Sequence, residues 1–169
     1  GGFIAITLNN LKVGARSYFF GIFLGIGTFY ILLNNCIMLG SFQYFFYQRG
    51  VFWESVRGIW IHGSMEIFAM IIEAGAGFIL GASILFPQTF SRLNSFKIGF
   101  QNSFKIFLST MPFTFAAGFL EGYITRYSME MPTYLSVGII LITLSIISFY
   151  YLIYPFIVYK KAKKYVSTL

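Results

Sequence analysis

Residues 58–86 form one unbroken apolar run that nevertheless carries three ionisable side chains, His62, Glu66 and Glu73. The run exceeds the approximately 20 residues that a helix needs to cross a bilayer, which leaves few folds open to the chain. An ionisable group at the centre of such a helix costs about 2.5–3.5 kcal/mol on insertion scales, so three of them in one span need a common explanation. At about 100° per residue, His62 and Glu66 stand about 40° apart, and Glu73 falls between them. All three share one face.

Three further stretches have the same character, giving spans at about 13–33, 58–86, 103–124 and 133–159. Only 10% of the residues are charged, against about 25% in soluble domains. None of the stretches alternates apolar and polar residues as a membrane barrel does, so helices are expected. The fold class is all-α: a polytopic transmembrane helical bundle, one domain over residues 1–169, with four spanning helices and short half-membrane or interfacial helices between them. Pro112 and Pro155 each remove a hydrogen bond from a spanning helix and predict kinks there.

Two short segments complete the plan. Residues 36–47 follow Asn34 and Asn35, a natural helix break, and are expected to form a half-membrane or interfacial helix. Residues 90–104 place Leu93, Phe96, Phe100 and Phe104 on one face. They form either an amphipathic helix in the interface or an N-terminal extension of the third span.

The net charge of +7 does not point to nucleic acid, because the basic residues flank apolar runs. Lys12, Arg16, Arg92, Lys97, Lys105, Lys160, Lys161, Lys163 and Lys164 fall on one side of the spans, and Arg49, Arg57 and Arg126 on the other. That bias predicts a multi-pass membrane protein with a cytoplasmic C-terminus, its lysine tail lying against anionic headgroups. The single Cys36 excludes an internal disulfide. The chain opens at Gly1 without a start methionine, and a preceding N-terminal region is expected.

Small residues four apart let helix backbones approach closely. Gly21 and Gly25, Gly77 and Gly81, and Gly118 and Gly122 are such pairs. Together with Gly63 they are expected at close helix contacts, within one chain or between chains.

His62, Glu66, Glu121, Asn34 and Asn35 are expected at one depth beneath the outer face. Such a cluster can be a closed hydrogen-bond network, a proton or ion path continued inward by Glu73, or a metal site on His62, Glu66 and Glu121. The paired-histidine arrangement of zinc proteases is excluded by the single histidine. A serine protease is disfavoured too: Ser64 points to another side of the helix from His62, and the chain has no aspartate. No catalytic set, cofactor or resident metal is expected, an intramembrane metalloenzyme being the weaker alternative.

The run from His62 through Gly63, Ser64, Met65 and Glu66 to Gly81 resembles the signature of the stage II sporulation protein M family. Asn9 and Asn10 ahead of a glycine-punctuated helix, with the block from Asn34 to Gly40, resemble the opening of that family. Residues 116–125, with Glu121, resemble its second acidic block. Tyr44 to Gln48 and Ile84 to Pro87 look most like members from Bacteroidota. The resemblance implies about five spanning helices, with another helix ahead of this segment. Its motif residues correspond to His62, Gly63, Glu66 and Glu121. Asn35 stands where the family pattern has Gly, and Glu73 where it has a small residue. The sporulation member is a scaffold for peptidoglycan-degrading enzymes. The implied role is therefore a non-enzymatic membrane scaffold or complex subunit of the cell envelope, in contact with the lipid bilayer and other membrane or envelope proteins as a homo- or hetero-oligomer. A proton- or ion-coupled transporter or channel component is the alternative.

Overall fold

The computed structural model describes residues 2–166. Its elements are α1 (Gly2–Phe19), α2 (Ile26–Gln48), α3 (Phe52–Leu85), α4 (Arg92–Phe119), α5 (Thr133–Ser148) and α6 (Tyr154–Val166). A π turn at Leu120–Ile124 and a 3-10 turn at Thr125–Tyr127 extend α4, and a second π turn at Phe149–Ile153 joins α5 to α6. No strand occurs among the described residues. Four helical stretches are long and apolar enough to cross a membrane: Ile26–Gln48, Phe52–Leu85, Arg92–Tyr127 and Thr133–Lys164.

The first span lies later in the chain than its sequence suggested. The helix expected over 13–33 is broken at Leu24 and Gly25, whose φ angles are 57° and 81°. Left-handed backbone ends a helix, and glycine adopts it without strain. Here it reverses the chain, so that α1 and α2 run antiparallel. Thr28 Oγ1 donates to Ser17 O at 2.7 Å, satisfying a carbonyl near the end of α1 that the break leaves without a helical partner. Three glycines within residues 21–27 were the available signal, of which Gly21 and Gly25 were assigned to packing.

The break expected at Asn34 and Asn35 does not occur, and residues 36–47 are the second half of α2 rather than a separate interfacial helix. Asn34 Nδ2 donates to Tyr30 O at 2.9 Å and Asn35 Nδ2 to Ile31 O at 2.8 Å. Both amides bond back one helical turn instead of competing with the next one. Residues 92–104 extend α4 continuously, capped where Ser91 Oγ accepts from Asn94 N. Lys12 and Arg16 do not flank a span; both lie on the exposed side of α1.

Helix α3 is the central element, packed by α1, α2, α4 and α5. The interior is built from small and hydroxyl-bearing residues rather than large aliphatics. Ser17, Thr28, Ser64, Ser103, Thr110 and Ser136 are fully buried. Without a hydrophobic drive between helices in lipid, close backbone approach and interhelical hydrogen bonds hold such bundles together. The glycines supply the approach. A Cβ on Gly21 would strike the backbone of Gly77, one on Gly81 would strike Gly25 N, and one on Gly122 would lie 3.1 Å from Phe3 Cα. Gly118 stands similarly tight against Thr7. All these contacts are internal to the chain. Gly63 is the exception: a Cβ there would meet only Ile59 and Ile67 of its own helix, each at 3.5 Å. It makes no close interhelical contact.

Hydroxyl bonds stitch the same helices. Ser64 Oγ and Thr143 Oγ1, 2.7 Å apart, join α3 to α5. Tyr18 OH and Ser103 Oγ, 3.0 Å apart, join α1 to α4. The Tyr18 ring stacks on Phe107 at 4.9 Å, and these two residues with Ala76 and Leu80 form the apolar core.

Candidate functional site

Helix periodicity sets His62 and Glu66 on one face of α3, turned toward the end of α4. There the π turn inserts an extra residue and carries Glu121. Such single-turn bulges recur at functional sites because they redirect one side chain without ending the helix. The result gathers three groups from two spans: one ligand atom each from His62, Glu66 and Glu121 lies within 4.8 Å of the other two.

The π turn also orients the imidazole. Thr125 Oγ1 donates to Leu120 O at 3.2 Å, five residues back, and lies 3.0 Å from His62 Nδ1. The threonine has one proton, for the Leu120 carbonyl or for Nδ1; given to the carbonyl, it leaves Nδ1–H to donate to Thr125 and Nε2 with a free lone pair.

A fourth group arrives from α1. Asn10 is buried, with 8% of its surface exposed, and its side chain faces both Glu66 and Glu121. Its Nδ2 closes no hydrogen bond of good geometry. The charged neighbour of Glu66 is the second carboxylate, Glu121, rather than a cation. Arg126, one turn beyond Glu121, is directed elsewhere: its guanidinium bonds Gly122 O and lies over the rings of Tyr123 and Tyr127.

The two asparagines of α2 part company. Asn35 borders the cluster and lines two adjoining cavities. One, of about 150 Å³, is also lined by His62, Gly63 and Glu66. The other, of about 90 Å³, is lined by Glu66, Glu73, Asn10 and Gly14. Asn34 lies outside the cluster, on the exposed side of α2, because the unbroken helix turns it about 100° from Asn35.

Glu73 sits deeper, 3% exposed. Thr110 Oγ1 donates to its Oε1 at 2.8 Å, and the carboxylate lies where a Cβ on residue 14 would otherwise stand. Gly14 thus makes room for an acidic side chain in the interior. Asn10, Thr110, Thr125 and Gly14 were not singled out from sequence as parts of this site. Only Asn10 carried a signal, as half of the Asn9–Asn10 pair in the opening block.

Chemically, one imidazole lone pair and two facing carboxylates can share a proton or hold a cation. Comparison with curated proteins and with solved structures returned no match. The family model for stage II sporulation protein M matches residues 1–126, a stretch that holds the whole cluster and ends before α5. The chain is a membrane protein that belongs to the stage II sporulation protein M family.

Proposed function

We propose that this protein is a non-enzymatic scaffold or complex subunit of the bacterial inner membrane, and that α2 is the helix its partner contacts. The observation that carries this reading is the outward face of α2. Thr28 is its one buried residue; Cys36, Gly40 and Tyr44, four residues apart, form one exposed stripe, and Asn34 and Ser41, seven apart, form another. Polar residues within a spanning helix act as glue between helices, and small residues allow close approach. No atom lies within 4 Å of a Cβ built on Gly40, so a second helix has room there. A homo- or hetero-oligomer follows. The C-terminus is cytoplasmic in this reading, because α6 brings Lys160, Lys161, Lys163 and Lys164 to the end of the bundle that also holds Arg92 and Lys97.

Cys36 lies on that face as a natural reporter. Mild oxidation of native membranes is expected to give a Cys36-dependent adduct, lost in Cys36→Ser and weakened by Gly40→Leu. A chain that runs as a monomer in mild detergent and forms no adduct would overturn the proposal.

The proton- or ion-path reading rests on the cavity that Glu66 and Glu73 both line. It predicts flux in proteoliposomes that Glu66→Gln abolishes. Flux unchanged by that substitution refutes it.

A further inference from the structure

We infer that His62, Glu66, Glu121 and Asn10 form a binding site for a divalent transition-metal ion. Two independent observations meet here. The first is the donor set, with ligand atoms from His62, Glu66 and Glu121 mutually within 4.8 Å. The second is Asn10, more than nine-tenths buried, whose side chain reaches both carboxylates while its amide nitrogen completes no hydrogen bond of good geometry with either. Rotating that amide by half a turn presents Oδ1 in place of Nδ2 and gives a fourth ligand.

The geometry closes with small movements. Three atoms within 4.8 Å of one another lie at most about 2.8 Å from a common centre (4.8 divided by √3). Zinc bonds to imidazole and carboxylate are about 2.0–2.2 Å, so each ligand needs to move inward by at most about 0.7 Å. Thr125 Oγ1, 3.0 Å from Nδ1, can hold the imidazole in the tautomer with Nδ1–H and a free Nε2, the outer-shell arrangement found around metal-binding histidines. Charge argues the same way. The charged neighbour of Glu66 is Glu121, and a dication would neutralise both where the bilayer penalises charge. One nitrogen and three oxygens suit Zn²⁺ or Mn²⁺ better than Ca²⁺, which takes six to eight oxygens.

The site is independent of partner docking on α2, since it is complete within one chain. The test uses the full chain purified in mild detergent after chelator treatment, titrated with Zn²⁺ and Co²⁺. The expected result is one equivalent bound, a rise in melting temperature, and visible Co²⁺ absorption of a four-coordinate site. His62→Ala and Glu121→Gln are expected to weaken binding at least tenfold, while Glu54→Gln, at an exposed acid, leaves it unchanged. The Co²⁺ spectrum of the unmodified protein decides the matter even where a variant fails to fold. A melting temperature indifferent to Zn²⁺, no absorption band, or binding retained in His62→Ala would overturn the proposal; the first of these would leave the two carboxylates sharing a proton instead.

Discussion

Two glycines on α3, two residues apart, give the sharpest test of how this bundle is held together. A Cβ on Gly77 would stand 2.6 Å from Ser17 O and 3.0 Å from Tyr18 O, and would also strike Thr28 Oγ1. Ordinary carbon–oxygen contact begins near 3.4 Å, so α1 has to retreat by about 0.8 Å. The obstructing atoms are backbone and cannot rotate away. Overpacking of this kind costs about 1–3 kcal/mol. Disturbing the Thr28–Ser17 bond adds about 0.6 kcal/mol, the average for such bonds in membranes. The better helix propensity of alanine returns about 0.8–1.0 kcal/mol. Gly77→Ala is therefore expected to destabilise by about 1–3 kcal/mol. Gly75→Ala receives the same propensity gain, and nothing lies within 4 Å of its added carbon. It should be neutral or more stable by up to about 1 kcal/mol. Unfolding in bicelles by titration with a denaturing detergent measures both. If the two substitutions shift stability equally, close approach at Gly77 does not hold α1 to α3, and the packing argument fails.

The remaining predictions use the same assay. Glu73→Gln keeps an acceptor for Thr110 and should hold stability within about 1 kcal/mol, whereas Glu73→Ala removes the partner and leaves a void, destabilising by about 1–3 kcal/mol. Gly14→Ala should destabilise on its own and lose most of that effect when combined with Glu73→Ala, because the two residues contend for one space; strict additivity would contradict this. Tyr18→Phe removes the bond to Ser103 and should cost about 0.6 kcal/mol, no more than about 1.7. Gly25→Ala forces a side chain into left-handed backbone and should destabilise by about 1–2 kcal/mol; an unchanged midpoint would mean that the reversal tolerates a Cβ.

What was legible in the sequence follows from which interactions are local. Apolar length gave three spans nearly in place, because burial in lipid depends on composition over some twenty residues. The shared face of His62 and Glu66 followed from helix periodicity, and Glu121 from its position near the outer end of an antiparallel neighbour. The start of the first span was misplaced because apolar length does not register a reversal made within two residues, Leu24 and Gly25. Asn34 was grouped with Asn35 on depth alone; the unbroken helix, with both amides back-bonded to Tyr30 and Ile31, sets them about 100° apart. Thr125 reached His62 only through the π turn, an irregularity that no local pattern announces.

Asn10 shows the same limit from the other side. An asparagine in an apolar helix has no directional signature, and its role comes from α1 running parallel to α3. In that arrangement Asn10 faces Glu66, Gly14 faces Glu73, and Ser17 meets Gly77. Each step along α1 supplies what one level of α3 demands: an amide beside the facing carboxylates, a missing side chain beside the buried one, a backbone carbonyl beside the glycine. The three acidic residues are therefore housed in different ways. Glu73 is closed in by Thr110 and Gly14, whereas Glu66 and Glu121 face each other beside the Asn10 amide; with His62 they bring three ligand atoms within 4.8 Å of one another, and the proposed ion is sought there for that reason.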